Sequence, residues 1–128
     1  VFLSISNPPL IDFTDPTTPV KGSSAGRIHN GKRLMWGGDY NGDGRIIYQG
    51  PNNDVFYLFS KVLGAAENTT NLANFIIIGY EMHDFNLDGK VIYQGPNNDR
   101  APLLYNTILS HTGNTNFLAN YIVMDFIP

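Results

Sequence analysis

The 128-residue chain contains no cysteine, which removes both a disulfide framework and any thiolate metal site and leaves the redox compartment unread. Basic residues are few and scattered, eight Lys and Arg against eleven Asp and Glu for a net charge of -3. Nucleic-acid binding needs a basic stripe, so that class is set aside. The longest purely aliphatic or aromatic runs, Val55-Phe56-Tyr57-Leu58-Phe59 and Phe75-Ile76-Ile77-Ile78, fall far short of the roughly 20 residues that span a bilayer. Charge is sparse overall, at 15% against 42% hydrophobic residues. That is too apolar for a disordered chain and low in charge for a free-standing monomer, so some apolar surface is expected to meet a partner. The sequence given opens at Val1, with neither an initiator Met nor a charged-then-apolar segment at its start. The expectation is a processed product or a piece of a longer, exported precursor.

What the chain does have is an internal repeat. Asp39-Tyr40-Asn41-Gly42-Asp43-Gly44-Arg45-Ile46-Ile47-Tyr48-Gln49-Gly50-Pro51-Asn52-Asn53-Asp54 returns 45 residues later as Asp84-Phe85-Asn86-Leu87-Asp88-Gly89-Lys90-Val91-Ile92-Tyr93-Gln94-Gly95-Pro96-Asn97-Asn98-Asp99. Further on, Leu72-Ala73-Asn74-Phe75-Ile76-Ile77 is echoed by Leu118-Ala119-Asn120-Tyr121-Ile122-Val123 with a one-residue length difference. Each unit reads as loop, short helix, Asn-rich turn and apolar segment. The stretches Val55 to Leu63 and Ala101 to Leu109 are predicted helices of two to three turns, with Asp54 and Asp99 suited to the N-cap and Pro102 tolerated in a first turn. Phe75 to Tyr80 and Tyr121 to Phe126 are strands or a buried helix, and periodicity alone leaves both open.

Residues 1–34 lie outside the repeat. Asn7-Pro8-Pro9, Asp15-Pro16 and Thr18-Pro19 break any helix, Val1-Phe2-Leu3-Ser4-Ile5 and Leu10-Ile11-Asp12-Phe13 can run extended, and Gly22-Ser23-Ser24-Ala25-Gly26 reads as a linker. The expected organisation is an extended arm over 1–34 followed by a tandem repeat domain over 35–128, repeat one about 35–80 and repeat two about 81–128. The expected fold class is mainly α with short strands, built from paired EF-hand-like loop-helix units.

Loops of the form D-x-[DN]-x-[DN]-G offer a hard cation oxygen ligands from alternate side chains, while the Gly makes the sharp turn. Asp39, Asn41 and Asp43 with Gly44 fit this template, as do Asp84, Asn86 and Asp88 with Gly89; the carbonyl oxygens of Arg45 and Lys90 fall at the seventh position. An ordinary twelve-residue loop ends in a bidentate carboxylate, but here Gly50 and Gly95 stand in that place. Asp54 and Asp99, four residues on, are therefore expected to close a lengthened loop. Asn52, Asn53, Asn97 and Asn98 either add an amide oxygen or shape the turn. Ile46 and Val91 sit where paired loops of this type join through a two-stranded contact.

Six of the eleven acidic residues lie in these loops, and three clustered carboxylates without a cation repel by on the order of a kcal/mol per close pair. Two calcium ions would bring the formal charge to +1. Magnesium prefers to keep its water and suits such a cage less well. Asp, Asn and Gly are also good turn-formers, but two copies in register, each followed by Tyr-Gln-Gly-Pro-Asn-Asn-Asp, favour an ion.

At these residues the chain resembles the dockerin-type repeats of secreted bacterial proteins, in a divergent form whose lengthened loop ends in Gly-x-x-Asn-Asp. The likeness runs over 35–128, from Met35-Trp36-Gly37-Gly38 to Ile127-Pro128, with Ile11-Asp12-Phe13-Thr14-Asp15-Pro16 similar to the segment that precedes such repeats. The resemblance implies calcium-dependent folding, an extracellular or cell-surface location and a role in attachment or assembly. Cohesin binding transfers poorly, because the inserted loop residues reshape the surface.

Other chemistry is thinner. His29, His83 and His111 are too dispersed for a zinc motif, Glu67 and Glu81 lack a catalytic partner, and no serine has a nucleophile-elbow context, so catalysis is not expected. Tyr40, Tyr48, Phe56, Tyr57, Phe59, Tyr93 and Tyr105 offer stacking faces for sugars, although such residues more often form core and interface. Asn68-Thr69-Thr70 is a formal glycosylation acceptor, which expects an exposed loop. Two functions follow as expectations. One is a calcium-stabilised extracellular module that associates with itself or with another extracellular protein, as in a surface fibre or matrix. The other is a docking or carbohydrate-binding appendage of a larger secreted enzyme.

Overall fold

A computed structural model describes residues 10–20 and 25–124. By contact density the chain falls into two units, divided between Trp36 and Gly37. No helix among the described residues is long and apolar enough to cross a membrane.

In the first unit, β1 (Gly26–His29) and β2 (Lys32–Met35) form an antiparallel hairpin in which Gly26 faces Met35. Asn30 and Gly31 both take positive φ, 51° and 73°, the conformation of a two-residue turn whose twist matches the strands it joins. Residues 12–18 form tight turns closed by their own side chains. Asp12 Oδ1 accepts from the N–H and hydroxyl of Thr14, and Asp15 Oδ1 accepts from both groups of Thr17. Arg33 ties the turns to the hairpin, its guanidinium donating to the carbonyls of Thr18 and Pro16. The extended arm expected here is thus corrected for the described part, because Asx turns and an Asn-Gly hairpin give this segment local hydrogen bonds of its own. Val1 to Ile5 and Gly22 to Ser24 lie outside the described residues.

In the second unit the elements are β3 (Ile46–Ile47), α1 (Asp54–Leu63), β4 (Ile76–Ile78), β5 (Lys90–Ile92), α2 and β6 (Ile122–Val123). Segment α2 opens with the α-helical turn Arg100–Pro102 and continues as π-helix over Leu103–Ile108. The expectation of a mainly α fold is overturned: the described structure has six short strands in two-stranded sheets and is only 17% helical. The apolar segments after the helices are short and β-branched, and each finds a strand to pair with, so they extend rather than coil.

The pairing also corrects the expected contact between loops. Ile46 does not pair with Val91. Instead β3 pairs with β6, placing Ile46 opposite Val123 and Ile47 opposite Ile122, while β4 pairs with β5, placing Ile77 opposite Val91 and Ile76 opposite Ile92. Each repeat therefore lends its last strand to the loop strand of the other, and the two exchanges close the unit. Between them lies the core: Ile46, Leu58, Val62, Val91, Leu103, Ile108 and Val123 are fully buried, each contributing roughly 1.5–3 kcal/mol by leaving water.

The one-residue difference between the repeats is absorbed in α2. Leu58 and Val62 are four residues apart on α1, the spacing that stacks side chains on one α-helical face. Their counterparts Leu103 and Ile108 are five apart, and the Leu109 N–H donates to the Leu104 carbonyl, an i→i-5 bond. The wider π turn returns Ile108 to the core face that an α turn would have carried it past.

Past each helix an asparagine clamps the chain. Asn68 Nδ2 donates to the carbonyls of Val62 and Leu72 while its Oδ1 accepts from the Leu72 N–H; Asn114 does the same with Ile108 and Leu118. Both side chains are buried. Thr69 and Thr70 are exposed, as expected of the loop, but the acceptor Asn68 is buried and the amide that a glycan would occupy is already spent on two carbonyls.

Candidate metal centre

The two loops are built on nearly the same bonds. In the first, Asp39 Oδ1 accepts from the Gly42 and Asp43 N–H groups and Oδ2 from Gly44, Asn41 Oδ1 accepts from Asp43, and Asp43 Oδ1 from Arg45. In the second, Asp84 accepts from Asp88 and Gly89, Asn86 from Asp88, and Asp88 from Lys90. Gly44 and Gly89 hold φ of 80° and 79°, the sharp turn required at the sixth position of a calcium loop. At the fourth position Gly42 has φ 71°, and its counterpart Leu87 is held at 58°, so the second loop keeps the same curve even where a side chain strains it.

Asp54 and Asp99 occupy the place expected of a closing residue, and they are completely buried. Asp54 Oδ1 accepts from the Tyr40 N–H at 2.7 Å and Oδ2 from Ile47 at 2.8 Å; Asp99 accepts from Phe85 and Ile92, both at 2.8 Å. Each carboxylate thus staples the head of its loop to the following strand. Neither caps its helix by side chain, as the sequence had implied. That role belongs to the residue before: Asn53 Oδ1 accepts from the Phe56 N–H and Asn98 Oδ1 from Ala101, and their amides donate to Gly50 and Gly95. Asn52 and Asn97 take φ of 55° and 56° and shape the Gly-Pro-Asn-Asn turn.

Burial dominates the electrostatics of the closing residues. It pushes the Asp54 carboxyl up to about 6, against the lowering effect of the Ile47 and Tyr40 N–H groups, and the Asp39 charge adds to the rise. Asp99 is raised for the same first reason, opposed by its N–H donors and assisted by Asp84. A cation beside these groups would reverse the balance.

The donors suit calcium in kind: every predicted ligand is an oxygen, and a carboxylate oxygen that accepts one N–H keeps a lone pair for an ion. They do not form a compact cage by carboxylates alone. Among the described residues no three His, Cys, Asp or Glu side chains stand together as a metal-ready group. The structure brings Asp39, Asn41, Asp43 and Arg45 together through the loop bonds, and Asp84, Asn86, Asp88 and Lys90 likewise. It sets Asp54 and Asp99 against the loop heads, turned to backbone donors.

One neighbour was not foreseen. Tyr40 is buried at 3% exposure with its ring against His83, centroids 5.1 Å apart, and its hydroxyl has no hydrogen-bond partner. Desolvation, then the charges of Asp99, Asp54 and Asp84, raise the phenol far above its ordinary range, so it stays neutral. The second repeat carries Phe85 at this place. Tyr40→Phe is therefore expected to stabilise the protein by about 1 kcal/mol, because an unsatisfied buried polar group costs roughly 1–3 kcal/mol; a urea midpoint unchanged or lowered would show that the hydroxyl is satisfied in solution. The aligned repeat, Tyr where the other copy has Phe, carried that signal.

No family model, no curated protein and no solved structure matches this chain.

Proposed function

We propose that the chain is an extracellular calcium-binding structural module, each loop taking one ion and the ions holding the two repeats in shape for assembly with another protein surface. The observation that supports this reading is the duplicated set of loop bonds, from Asp39 to Arg45 and again from Asp84 to Lys90, each closed by a buried aspartate. The repeats differ at the fourth loop position, Gly42 against Leu87, yet the second keeps the positive φ that the first adopts at no cost, which supports a demand on the loop beyond the shared sequence. Asp39, Asn41, Asp43, the Arg45 carbonyl and Asp54 would hold one ion; Asp84, Asn86, Asp88, the Lys90 carbonyl and Asp99 would hold the other.

Calorimetric titration of metal-stripped protein is expected to show two calcium ions per chain, with Asp43→Ala and Asp88→Ala each reducing the count to one. At a hundredfold excess over the dissociation constant each site adds about 2.7 kcal/mol to the unfolding free energy. A melting temperature identical in calcium and in excess EGTA would sink the reading.

A docking or carbohydrate-binding role for the same module draws on a different observation. Phe56 and Tyr57 stand exposed side by side on α1, rings 5.9 Å apart and edge to face, and offer a sugar or protein an aromatic contact. Loss of binding to a glycan array on Tyr57→Ala would favour it, and silence of the native chain would count against it.

A further inference from the structure

The repeats can be laid on each other past the helices as well as in the loops. Asn68 answers to Asn114, so Ala65, Glu67 and Phe75 of repeat one answer to His111, Gly113 and Tyr121 of repeat two. In repeat two these residues fill one another's space. The His111 and Tyr121 rings lie 5.3 Å apart at 34°, the Gly113 N–H donates to His111 Nδ1, and a Cβ at Gly113 would run into the Tyr121 hydroxyl. Repeat one has neither the imidazole nor the hydroxyl and carries a carboxylate instead. There a cleft of about 230 Å³ is lined by Glu67, Phe75, Ile76, Ile77 and Ile78.

The cleft runs along an open strand edge. Successive side chains of a strand point to opposite faces, so a cleft that touches all three residues of β4 follows its edge and not one face. Among the described residues β5 is the only strand beside β4. The Gly79 N–H donates to the Gly89 carbonyl, which makes Ile77 and Val91 the next hydrogen-bonded pair and leaves Ile76–Ile92 and Ile78–Lys90 as the non-hydrogen-bonded ones. Ile92 agrees, since its N–H and carbonyl are both engaged by Asp99. The N–H and C=O groups of Ile76 and Ile78 therefore face the open edge, and the two residues are 44% and 76% exposed.

We infer that this edge takes an extended segment of a partner protein, laid antiparallel on β4, which sets an arginine into the cleft between Phe75 and Glu67. Three observations select that occupant. The outward backbone groups of β4 are donors and acceptors that an added strand satisfies. The cleft volume lies below the roughly 300–1,000 Å³ of small-molecule pockets and suits a single long side chain. Glu67 makes no ion pair among the described residues and shares the cleft with an aromatic ring, and a planar guanidinium both forks a carboxylate and stacks on a ring. Repeat two sets a planar nitrogen-bearing ring, His111, at the equivalent aromatic residue. The inference deepens the assembly reading by naming its surface, and rests on it for the partner being a protein.

A labelled peptide, Thr-Val-Arg-Val-Thr, tests it. With its valines opposite Ile76 and Ile78, its arginine falls opposite Ile77, on the face that Phe75 shares. The calcium-loaded native chain is expected to bind this peptide in fluorescence anisotropy. Glu67→Gln, at an exposed position, is expected to weaken binding about tenfold through loss of a charge-assisted hydrogen bond. Proline in place of the peptide valines abolishes binding, because it removes the N–H groups that Ile76 and Ile78 must receive. The variant Ala65→His/Glu67→Gly/Phe75→Tyr gives repeat one the residues that fill this space in repeat two, and it too is expected to lose the peptide.

No binding by the native chain, or equal binding by Glu67→Gln, would overturn the inference. Free arginine bound as tightly as the peptide would make the cleft a small-ligand site and remove the strand. Self-association of the native chain that Glu67→Gln abolishes would give the cleft to a second copy and remove the separate partner. The calcium reading fails separately: chains that hold the peptide but take up no ion contradict only that reading, and calcium-loaded chains that hold no peptide contradict only this one.

Discussion

Replacing Asp54 with alanine lowers the unfolding free energy by about 2–6 kcal/mol, since it leaves the Tyr40 and Ile47 N–H groups buried without an acceptor and each such orphan costs roughly 1–3 kcal/mol. The effect is large because the carboxylate is completely enclosed and water cannot take its place. Asp99→Ala carries the same expectation through Phe85 and Ile92. Urea unfolding of native and variant chains, with and without calcium, measures it. Variants that unfold within 1 kcal/mol of the native chain would mean that the staple is dispensable.

The pH dependence of that difference has a definite sign. The folded-state pKa of Asp54, at about 6, lies above its ordinary value of 3.8, so the fold binds this proton more tightly than the unfolded chain does. In metal-stripped protein the contribution is fully present below the ordinary value and is lost as pH rises through the folded one. The gap between native chain and Asp54→Ala is therefore expected to narrow from pH 4 to pH 7 when metal is absent. With calcium bound the ionised carboxylate is paired, and the narrowing should disappear.

Gly38→Ala is expected to cost about 2–6 kcal/mol, because it combines backbone strain with overpacking, each worth roughly 1–3 kcal/mol. Gly38 takes φ of 115°, which side chains rarely adopt, and an added Cβ would stand 2.1 Å from Leu103 Cδ1 and 3.4 Å from Ile46 Cγ2. Leu103 is fully buried, so its side chain can yield only by shifting within the core. Gly42 has a positive φ too, but open space around it, so Gly42→Ala meets only the left-handed backbone cost of about 1–2 kcal/mol. Thermal melts of both variants provide the comparison. Equal losses would show that Leu103 moves aside and that backbone strain alone is at work.

The loops were legible because their information is local. Asp39, Asn41, Asp43 and Gly44 interact within a few residues of one another, and a motif of short reach reads directly from spacing. The Asn-Gly turn between β1 and β2 was equally local and went unread, because the proline-rich surroundings suggested an extended arm. The clamps at Asn68 and Asn114 were visible in outline, as the Leu-Ala-Asn echo with its one-residue shift. Their burial was not, because it depends on where the carbonyls of Val62 and Ile108 come to lie.

What the sequence alone determined is the duplication, the oxygen-rich character of both loops and the helical bias after each one, all set by neighbours within a turn or two of chain. Tertiary structure decided that Ile46 pairs with Val123 and not with Val91, that the trailing apolar segments become strands, and that α2 widens to a π turn. Those outcomes turn on which distant aliphatic surface excludes water best against each strand, and hydrophobic burial has no direction that a single stretch of residues can specify.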